Sequence, residues 1–600
     1  MTADTVQSGA EQWAADFESA LTNGDSGKLE RLFAEQSYLR DNGALTWDFR
    51  QFHGREAVVS TLLAVAGDIR PSNFRTSKAW PTPHVLGEGE SAVVEAFFDF
   101  DTATGSGVAL INGVPDRRSP HGFVASAIYT RLEGITGAEA PPLHPRGGGF
   151  TPAYPGQTWA EHHAHKRAYL DREPEVLVIG AGQAGLVAAA NLDQLGVDTL
   201  VVDKNDKVGD NWRTRYDSLL LHNPVEMNGF PYLPFPRHYP EYLPKEIVGD
   251  WLDIYARYLD LNVWSGTDFL GADFNGDTGQ WTATLRQSDG THRVLHPRHI
   301  VHATGGIGGK PAIPELPGLS SFAGKVMHSS AYTKASEYGI KKAIVVGAST
   351  SAHDIAFDLH NNGVEVTMVQ RSPIVVNHVD TANLAYAGYI DPSIPTELVD
   401  IRYGIGLINP LREAASQQYH QMAKAMDADL LEGLEAAGLR LGDGVNGMGW
   451  LDLFLRTGGG YYLNKGASEA IVAGGIKIQQ ADRIVEFVEG GALLNDGTIL
   501  EADIVILATG YQNRKVEVAE QFGPEVAERV GDIARLDDEG EWANMWGQTG
   551  QRGLWINGGG INQIRAGSAR LALLVKADLD GLIPDSYRKP AKNSNAVAAY

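Results

Sequence analysis

Three glycines at the end of a predicted buried strand form a turn that could hold the phosphates of a dinucleotide. Gly180, Gly182 and Gly185 follow the apolar run 176–179 and open a helix rich in small residues. In such a turn the first glycine makes the tight bend, the second lets a pyrophosphate approach the backbone, and the third lets the helix pack on the strand. Asp203 ends the next predicted strand, where a carboxylate can accept hydrogen bonds from ribose hydroxyls. The pattern predicts a site for a dinucleotide with free ribose hydroxyls.

A second unit of the same design spans residues 342–372. Gly347 opens its turn, and Ser349 and Ser351 replace the later glycines, which keeps the side chains small and adds hydroxyl donors near the phosphates. Arg371 stands where the first unit has its acidic residue, and a guanidinium there fits a 2′-phosphate. The simplest assignment that satisfies both units is FAD in the first unit and NADPH in the second. A single basic residue predicts a modest preference for NADPH, with NADH as an alternative donor.

The absence of cysteine narrows the enzyme classes that could use two such cofactors. A chain with FAD and a nicotinamide cofactor could be a disulfide reductase, a ferredoxin reductase or a monooxygenase. Disulfide reductases pass electrons through a cysteine pair, and this chain has no cysteine, so that class is excluded. Thiolate metal sites and thiol nucleophiles are excluded for the same reason. The crowded His162, His163 and His165 lack the spacing of a converging ligand set, so we predict no metal site.

The bulk composition is that of an ordinary globular protein. A length of 600 residues predicts about three or four domains. The formal net charge of −24 repels nucleic-acid phosphates and anionic membrane surfaces. The sequence shows no secretory signal and no apolar run of about 18 residues that could span a bilayer. We therefore expect a cytoplasmic protein that binds neither nucleic acid nor a membrane.

The first 165 residues predict an α+β unit that is distinct from the two dinucleotide units. Apolar positions over 10–36 indicate an amphipathic helix, and the alternating runs SAVVEAFFDFDT and GFVASAIYTRLEG are typical of long antiparallel strands. The Pro- and Gly-rich segment 137–157 predicts a linker. No His/Asp pair in this unit can be chosen as a second active site. We expect a structural or association role rather than cyclase or dehydratase chemistry.

The segment FAGKVMHSSAY, between the two dinucleotide units, resembles a fingerprint of flavin-containing monooxygenases. Phe322, Gly324, His328 and Tyr332 match the pattern F-x-G-x-x-x-H-x-x-x-(Y/F). Related Baeyer–Villiger monooxygenases typically carry Trp at the last position. The segments HATGG, DIVILATGY and VGDNWRTRYDSLLLHNPVEM also resemble parts of the family. The likeness to class B flavin-containing monooxygenases covers about residues 174–600.

The resemblance implies an α/β flavoprotein with two Rossmann-like dinucleotide-binding domains, the second inserted into the first. The expected domains are a SnoaL-like α+β domain with its linker at 1–165, an FAD-binding domain at 172–325 and 479–600, and an NADPH-binding domain with a helical insert at 326–478. The helical insert is expected to cover the substrate pocket.

The resemblance also implies cofactor contacts outside the two glycine turns. Trp212 follows the first unit, and His328 and Tyr332 belong to the fingerprint. Gln563 lies in GGGINQIRAGSARLALL, which resembles a loop leading to a helix whose N-terminus faces the flavin ring. That orientation favours negative charge on the reduced flavin.

His222 falls where many family members have an active-site asparagine. A histidine at this position is similar to plant-type indole-pyruvate monooxygenases. It is also similar to bacterial type II flavin monooxygenases, which carry an N-terminal extension and accept ketones. The extension at 1–165 favours the type II group. We hypothesise that His222 hydrogen-bonds the flavin hydroperoxide or the bound nicotinamide, with a protonation state that changes near neutral pH.

The family's chemistry implies the expected reaction. NADPH reduces FAD, dioxygen adds to give a flavin hydroperoxide, and one oxygen atom passes to the substrate. We expect Baeyer–Villiger insertion into ketones, with sulfides or amines as further substrates, by a homodimer. The alternatives are an N- or S-oxygenating or indole-pyruvate-type monooxygenase, and an NADPH oxidase that releases hydrogen peroxide.

Overall fold

Two parallel sheets and a larger mixed sheet organise the chain. The computed structural model describes residues 3–138, 156–305 and 309–589. Most of the predicted linker 137–157 therefore lies outside the described residues. Within these ranges no helix combines the length and the apolar character needed to cross a bilayer.

The amino-terminal unit packs three helices on a seven-stranded sheet. Its elements are α1 (Ala3–Asn23), α2 (Ser26–Leu32), β1 (Phe33–Asn42), β2 (Phe49–His53), α3 (Arg55–Ile69), β3 (Ser72–Thr76), β4 (His84–Leu86), β5 (Val93–Thr102), β6 (Gly105–Pro115) and β7 (Phe123–Ile135). The strand order is β2-β1-β7-β6-β5-β3, with β4 paired to β5. All pairs are antiparallel except β1 and β7. The two long predicted strands correspond to β5 and β7.

The single helix predicted over residues 10–36 is wrong, because the chain forms two helices and then a strand there. Gly24 adopts a φ of +64°, which ends α1 and turns the chain. The Asp25 side chain then accepts a hydrogen bond from the Lys28 backbone N–H and caps α2. Phe33 already begins β1. The apolar periodicity continued across this turn, so the pattern alone did not reveal it.

Aromatic side chains fill the interior of the amino-terminal unit. Trp13 stacks on Phe17 with their ring centroids 4.9 Å apart, and Phe74 stacks on Phe100 at 5.0 Å. The cavity lined by these rings measures about 10 Å³. That is at most the space of one water molecule. This cavity therefore has no room for an organic substrate, and the structural role of the unit stays a prediction.

The first dinucleotide-binding sheet is parallel and is completed by a strand from near the end of the chain. Its elements and those packed on it are α4 (Trp159–Ala168), β8 (Val176–Ile179), α5 (Gln183–Gln194), β9 (Thr199–Val202), α6 (Asp210–Arg213), α7 (Lys245–Tyr258), β10 (Val263–Trp264), β11 (Thr267–Asn275), β12 (Gln280–Gln287), β13 (His292–Leu295), β14 (His299–His302), β25 (Leu554–Ile556) and α18 (Ile561–Leu579). The strand order is β10-β9-β8-β14-β25. Strands β11 to β13 form a separate antiparallel sheet.

The second dinucleotide-binding sheet is also parallel, with the order β15-β24-β16-β17-β20. Its strands and helix are β15 (Lys325–His328), β16 (Lys342–Val346), α8 (Thr350–Asn361), β17 (Glu365–Gln370), β20 (Ile476–Gln480) and β24 (Ile504–Leu507). A small antiparallel sheet precedes β24 and consists of β21 (Ile484–Val488), β22 (Gly491–Leu494) and β23 (Ile499–Glu501). Since β24 pairs with β15 and β16, this unit extends past the boundary expected at residue 479.

The remaining elements form a mainly helical insert and two short helices near the end of the chain. They are β18 (Val375–His378), α9 (Val379–Asn383), α10 (Ala387–Ile390), α11 (Thr396–Gly406), α12 (Asn409–Met426), α13 (Ala428–Ala436), α14 (Gly449–Thr457), β19 (Tyr461–Asn464), α15 (Ala467–Val472), α16 (Lys515–Phe522) and α17 (Pro524–Val530). Strands β18 and β19 pair in parallel.

The amino-terminal unit is docked on the rest of the protein through its sheet. Ile401 and Ile405 of α11 pack against Phe97 and Leu110 on one sheet face. Elsewhere the Arg40 guanidinium pairs with the Glu541 carboxylate through two hydrogen bonds, one of them 2.9 Å long, and both side chains are buried. This buried ion pair fixes the amino-terminal unit relative to the segment that carries Glu541, because separating the partners would leave an unpaired charge buried.

The two glycines Gly185 and Gly67 give opposite predictions for substitution by alanine. A Cβ on Gly185 would lie 1.8 Å from the Gly180 carbonyl oxygen, whereas a Cβ on Gly67, inside α3, meets nothing within 4 Å. We expect Gly185→Ala to cost about 3 kcal/mol through overpacking and to yield protein without bound flavin. We expect Gly67→Ala to stabilise α3 by about 0.5–1 kcal/mol. Thermal unfolding and flavin absorbance of both variants check this, and a Gly185→Ala protein that keeps its flavin would contradict it.

Candidate functional site

The first glycine turn has the shape that a pyrophosphate needs. Gly180 adopts a φ of +103°, and a Cβ there would lie 2.6 Å from the Ala303 carbonyl oxygen. Gly182 precedes α5, and no side chain caps the N-terminus of that helix. The uncapped backbone N–H groups can therefore bind an anion. The residues present fit a dinucleotide phosphate.

Asp203 closes the first turn from the end of β9. Its Oδ2 accepts a hydrogen bond of 2.6 Å from the Ala181 backbone N–H, and its Oδ1 accepts from Asn205. A carboxylate oxygen has two acceptor positions, so one side of Asp203 stays available to ribose hydroxyls. The predicted role of Asp203 is compatible with this geometry.

The second glycine turn repeats the first with smaller changes. Gly347 has a φ of +131°, and a Cβ there would lie 2.4 Å from the Ala508 carbonyl oxygen. Ser349 precedes α8, and its hydroxyl accepts a hydrogen bond from the Gly460 backbone N–H at 3.1 Å. Ser351 lies in the first turn of α8 and hydrogen-bonds the Tyr216 hydroxyl. The two serines therefore connect this turn to neighbouring segments.

Arg371 has a basic neighbour that the sequence pattern did not reveal. Its side chain is exposed after β17, as a 2′-phosphate ligand requires. The Arg440 guanidinium lies beside it and donates a hydrogen bond of 2.9 Å to the Arg371 carbonyl oxygen. Arg440 comes from the helical insert, 69 residues further along the chain. The structure thus places a second arginine side chain against the Arg371 backbone, where the sequence predicted one basic residue.

Trp212 and Gln563 lie beside the first dinucleotide unit. The Trp212 indole N–H donates a hydrogen bond of 3.0 Å to the Gln183 side chain at the start of α5. Gln563 is buried in the first turn of α18, where its Oε1 accepts from the Gly560 backbone N–H at 2.9 Å. The first contact fixes the N-terminus of α5, and the second fixes the N-terminus of α18.

His328 and Tyr332 of the fingerprint are occupied by internal contacts. The His328 imidazole bonds the Ser330 hydroxyl and the Gly510 carbonyl oxygen, each at 2.9 Å. The Tyr332 ring is fully buried, and its hydroxyl donates to Asp358 of α8. The predicted cofactor contact of Tyr332 stays a prediction, and in this structure the ring packs in the core of the second dinucleotide unit.

His222 lies between the two dinucleotide units and faces α8. Its Nε2 is 3.9 Å from Oδ2 of Asp354, and its Nδ1 is buried without a hydrogen-bond partner among the described residues. Asp354 accepts a hydrogen bond of 2.8 Å from the Tyr216 hydroxyl. Lys465 approaches from the insert and donates to the Leu220 carbonyl oxygen at 3.3 Å. An unbonded, buried imidazole nitrogen is costly, which points to a ligand that would satisfy it.

Burial sets the protonation of this group of residues. Burial, together with the nearby Lys465 ammonium, lowers the pKa of His222 to about 3. Burial raises the pKa of Asp354 to about 6, against the opposing effect of Lys465. The hypothesis that His222 titrates near neutral pH is therefore wrong for this environment, and Asp354 is the group that titrates there.

Arg565 and Asp400 join three segments around the N-terminus of α18. The Arg565 guanidinium donates to both carboxylate oxygens of Asp400 at 2.8 and 2.7 Å. It also donates to the carbonyl oxygens of Met227 and Gly229. Tyr389 donates a further hydrogen bond of 2.8 Å to Asp400. The contacts hold α11, α18 and the segment after His222 together.

Comparisons with known proteins agree with this arrangement. Residues 173–389 match the family model described as flavin-binding monooxygenase-like. An indole-3-pyruvate monooxygenase of Oryza sativa, YUCCA1, is 31% identical over 350 residues, which are 57% of this chain and 77% of the relative. A probable indole-3-pyruvate monooxygenase of Arabidopsis thaliana, YUCCA4, is 30% identical over 57% of this chain and 76% of the relative.

Solved structures with a similar chain path include a flavin-containing monooxygenase from Stenotrophomonas maltophilia. It is 19% identical with a TM-score of 0.46, over 68% of this chain and 99% of that one. A cyclohexanone monooxygenase bound to ε-caprolactone is 18% identical with a TM-score of 0.49, over 68% of this chain and 88% of that one.

The two phosphate-binding turns and the matches in sequence define the class of protein. The chain belongs to the flavin-binding monooxygenase-like family. It is an enzyme, a flavin-dependent monooxygenase with FAD and NADPH as cofactors.

The raised pKa of Asp354 predicts a pH-dependent stability. Between about pH 4 and pH 6 the unfolded state loses the Asp354 proton while the folded state keeps it, so rising pH removes stability. Two pKa units correspond to about 3 kcal/mol. We expect Asp354→Asn to be more stable than the parent above pH 6, with a difference that shrinks towards pH 4. Melting temperatures of both proteins from pH 4 to pH 8 check this, and a constant difference would contradict it.

Proposed function

We propose that this monooxygenase inserts an oxygen atom into ketones, in a Baeyer–Villiger reaction beside His222. Bound FAD, once reduced by NADPH, supplies the activated dioxygen. Attack on a ketone carbonyl needs an anionic, nucleophilic oxygen, whereas amines and sulfides need a protonated, electrophilic one. The substrate class therefore depends on what surrounds the reacting oxygen.

The observation that carries the proposal is the neutral imidazole of His222 next to Lys465. With a pKa of about 3, the His222 imidazole is neutral at neutral pH and carries a single ring N–H. Its neutral N–H can still donate a hydrogen bond, and the Lys465 ammonium favours nearby negative charge. Both effects act against the negative charge of Asp354, 3.9 Å from His222, and support an oxygen that stays anionic, and thus attack on a carbonyl.

The names of the relatives favour a second candidate substrate. Indole-3-pyruvate, which appears in those names, is an α-keto acid, and its carbonyl carbon could accept the same nucleophilic oxygen. A ketone and an α-keto acid place the same demand on the reacting oxygen. The two candidates differ in the carboxylate, which needs a cationic partner in the pocket.

A substrate panel tests the proposed reaction. The panel holds cyclic and linear ketones, indole-3-pyruvate, a sulfide and a tertiary amine, each scored by product mass and by hydrogen peroxide released. We expect ester or lactone from the ketones at higher kcat/KM than sulfoxide or N-oxide. Exclusive oxidation of the sulfide or amine would overturn the proposal, and peroxide without any product would identify an NADPH oxidase.

His222→Ala tests whether the imidazole supports oxygen transfer. We expect about a tenfold loss of product formed per NADPH consumed, because a hydrogen-bond partner of the reacting oxygen is removed. His238→Ala, at an exposed histidine in the following segment, is the control and should leave the coupling unchanged. Unchanged coupling in His222→Ala would remove His222 from the reaction.

Arg371→Ala and Arg440→Ala test the proposed 2′-phosphate site. A hydrogen bond to a charged group contributes about 1.5–3 kcal/mol, so each substitution should lower the NADPH/NADH ratio of kcat/KM about tenfold or more. Arg483→Ala is the control, since Arg483 is an exposed arginine of the same domain that pairs with Asp496. An unchanged ratio in both variants would count against the assignment.

A further inference from the structure

A cavity of about 520 Å³ lies between the amino-terminal unit and the first dinucleotide unit. It is lined by the β6 and β7 ends of the sheet, by the C-terminal end of α5, by Tyr232 and by the middle of α18. Helix α5 has 12 residues and is therefore about 18 Å long. The cavity lies at the end of α5 opposite Gly182, so it is separate from the FAD phosphate turn.

Arg570 of α18 reaches this cavity without a hydrogen bond among the described residues. The residue is only 9% exposed, and its Nε is buried and unpartnered. Its nearest acidic contact is Oε2 of Glu133, 3.7 Å from an Arg570 Nη atom, which is too long for a hydrogen bond. Burying an arginine without satisfying its donors is costly. The Arg570 guanidinium therefore lacks a hydrogen-bond acceptor among the described residues.

The carboxylates that act on Arg570 are each hydrogen-bonded to another arginine. Glu133 is engaged by the Arg131 guanidinium through its other carboxylate oxygen. Asp400, the next carboxylate that acts on Arg570, is held by Arg565. Neither carboxylate therefore gives Arg570 a hydrogen bond.

The walls of the cavity indicate what kind of anion fits. Leu195, Ile135 and Leu573 form apolar walls, and Gln194 and Thr136 add polar groups. A volume of this size is typical of pockets for small organic ligands rather than for a single ion. A planar carboxylate matches the two parallel donors of a guanidinium.

We propose that this cavity is a binding site for a small organic monocarboxylate, with the carboxylate on Arg570 and the apolar body against Leu195 and Leu573. The site is independent of the oxygenation reaction and of its substrate pocket. It would sense a carboxylic acid at the contact between the amino-terminal unit and the flavin-binding unit.

Calorimetry on the full-length, FAD-loaded protein with saturating NADP⁺ tests the site. The probes are sodium hexanoate, 1-hexanol as its neutral counterpart, and sodium chloride at matched ionic strength. We expect one saturable hexanoate site per chain, at least tenfold weaker binding of hexanol, and a rise in melting temperature with hexanoate only. Equal binding of hexanol, or the same effect from chloride, would overturn the proposal.

Three variants locate the binding. Arg570→Met should fold, because a flexible apolar chain replaces a buried guanidinium that has no hydrogen bond, and should weaken hexanoate binding at least tenfold. Ala569→Phe keeps Arg570 but fills the cavity, and should also abolish binding. Arg257→Met, at an exposed arginine of α7, is the control and should bind hexanoate as the parent does. Undiminished binding in Arg570→Met or Ala569→Phe would overturn the proposal.

One further variant tests whether the chain supplies the carboxylate itself. Glu139 follows the cavity residue Ala138 and lies outside the described residues. If Glu139 were the partner of Arg570, Glu139→Gln would lower the melting temperature and create hexanoate binding that the parent lacks, which would overturn the proposal. We expect Glu139→Gln to bind hexanoate with the parent's affinity.

Discussion

The ion pair between Arg565 and Asp400 is the interaction on which the geometry of the site depends. Arg565 belongs to α18, Asp400 to α11, and the same guanidinium holds the carbonyl oxygens of Met227 and Gly229. Both side chains are largely buried. A buried pair whose guanidinium makes four hydrogen bonds is rigid, and losing either partner would leave an unpaired charge buried. One guanidinium therefore fixes the helical insert and the segment that carries His222 relative to the flavin-binding unit.

The amino-terminal unit extends this rigid arrangement outward. Helix α11 carries Asp400 towards Arg565 and, on another side, packs Ile401 against the sheet of the amino-terminal unit. Arg402 of the same helix pairs with the buried Glu95 of that sheet. The insert is thus held from two sides, by the flavin-binding unit and by the amino-terminal unit. The sheet of the amino-terminal unit acts here as a support for α11.

Short-range sequence patterns predicted the parts of the site that lie within one strand–turn–helix unit. The turn at Gly180 and the acidic end of β9 follow from local geometry, and both are found where they were expected. Arg440 and Asp354 could not be assigned to a site in advance. Arg440 contacts Arg371 although the two residues are 69 positions apart in the sequence. Asp354 lies in a predicted helix, and the helical pattern does not indicate that His222 is close to it in space.

The mistaken predictions have the same cause. The periodicity over 10–36 hid the turn at Gly24, because the apolar spacing continues on both sides of it. The titration of His222 depended on burial and on Lys465, and neither can be read from the residues next to His222.

The late position of β25 has a consequence for the order in which the newly made protein can mature. Residues 300–302 of β14 pair with residues 554–556 of β25, and Arg40 finds its partner only at Glu541. On the ribosome the amino-terminal unit can close its own sheet early, but the flavin-binding sheet lacks β25 until residues 554–556 have emerged. Until then the edge of β14 that pairs with β25 is open to wrong pairings. Assembly of the flavin-binding unit, unlike that of the amino-terminal unit, therefore depends on a strand that is made long after the other strands of its sheet.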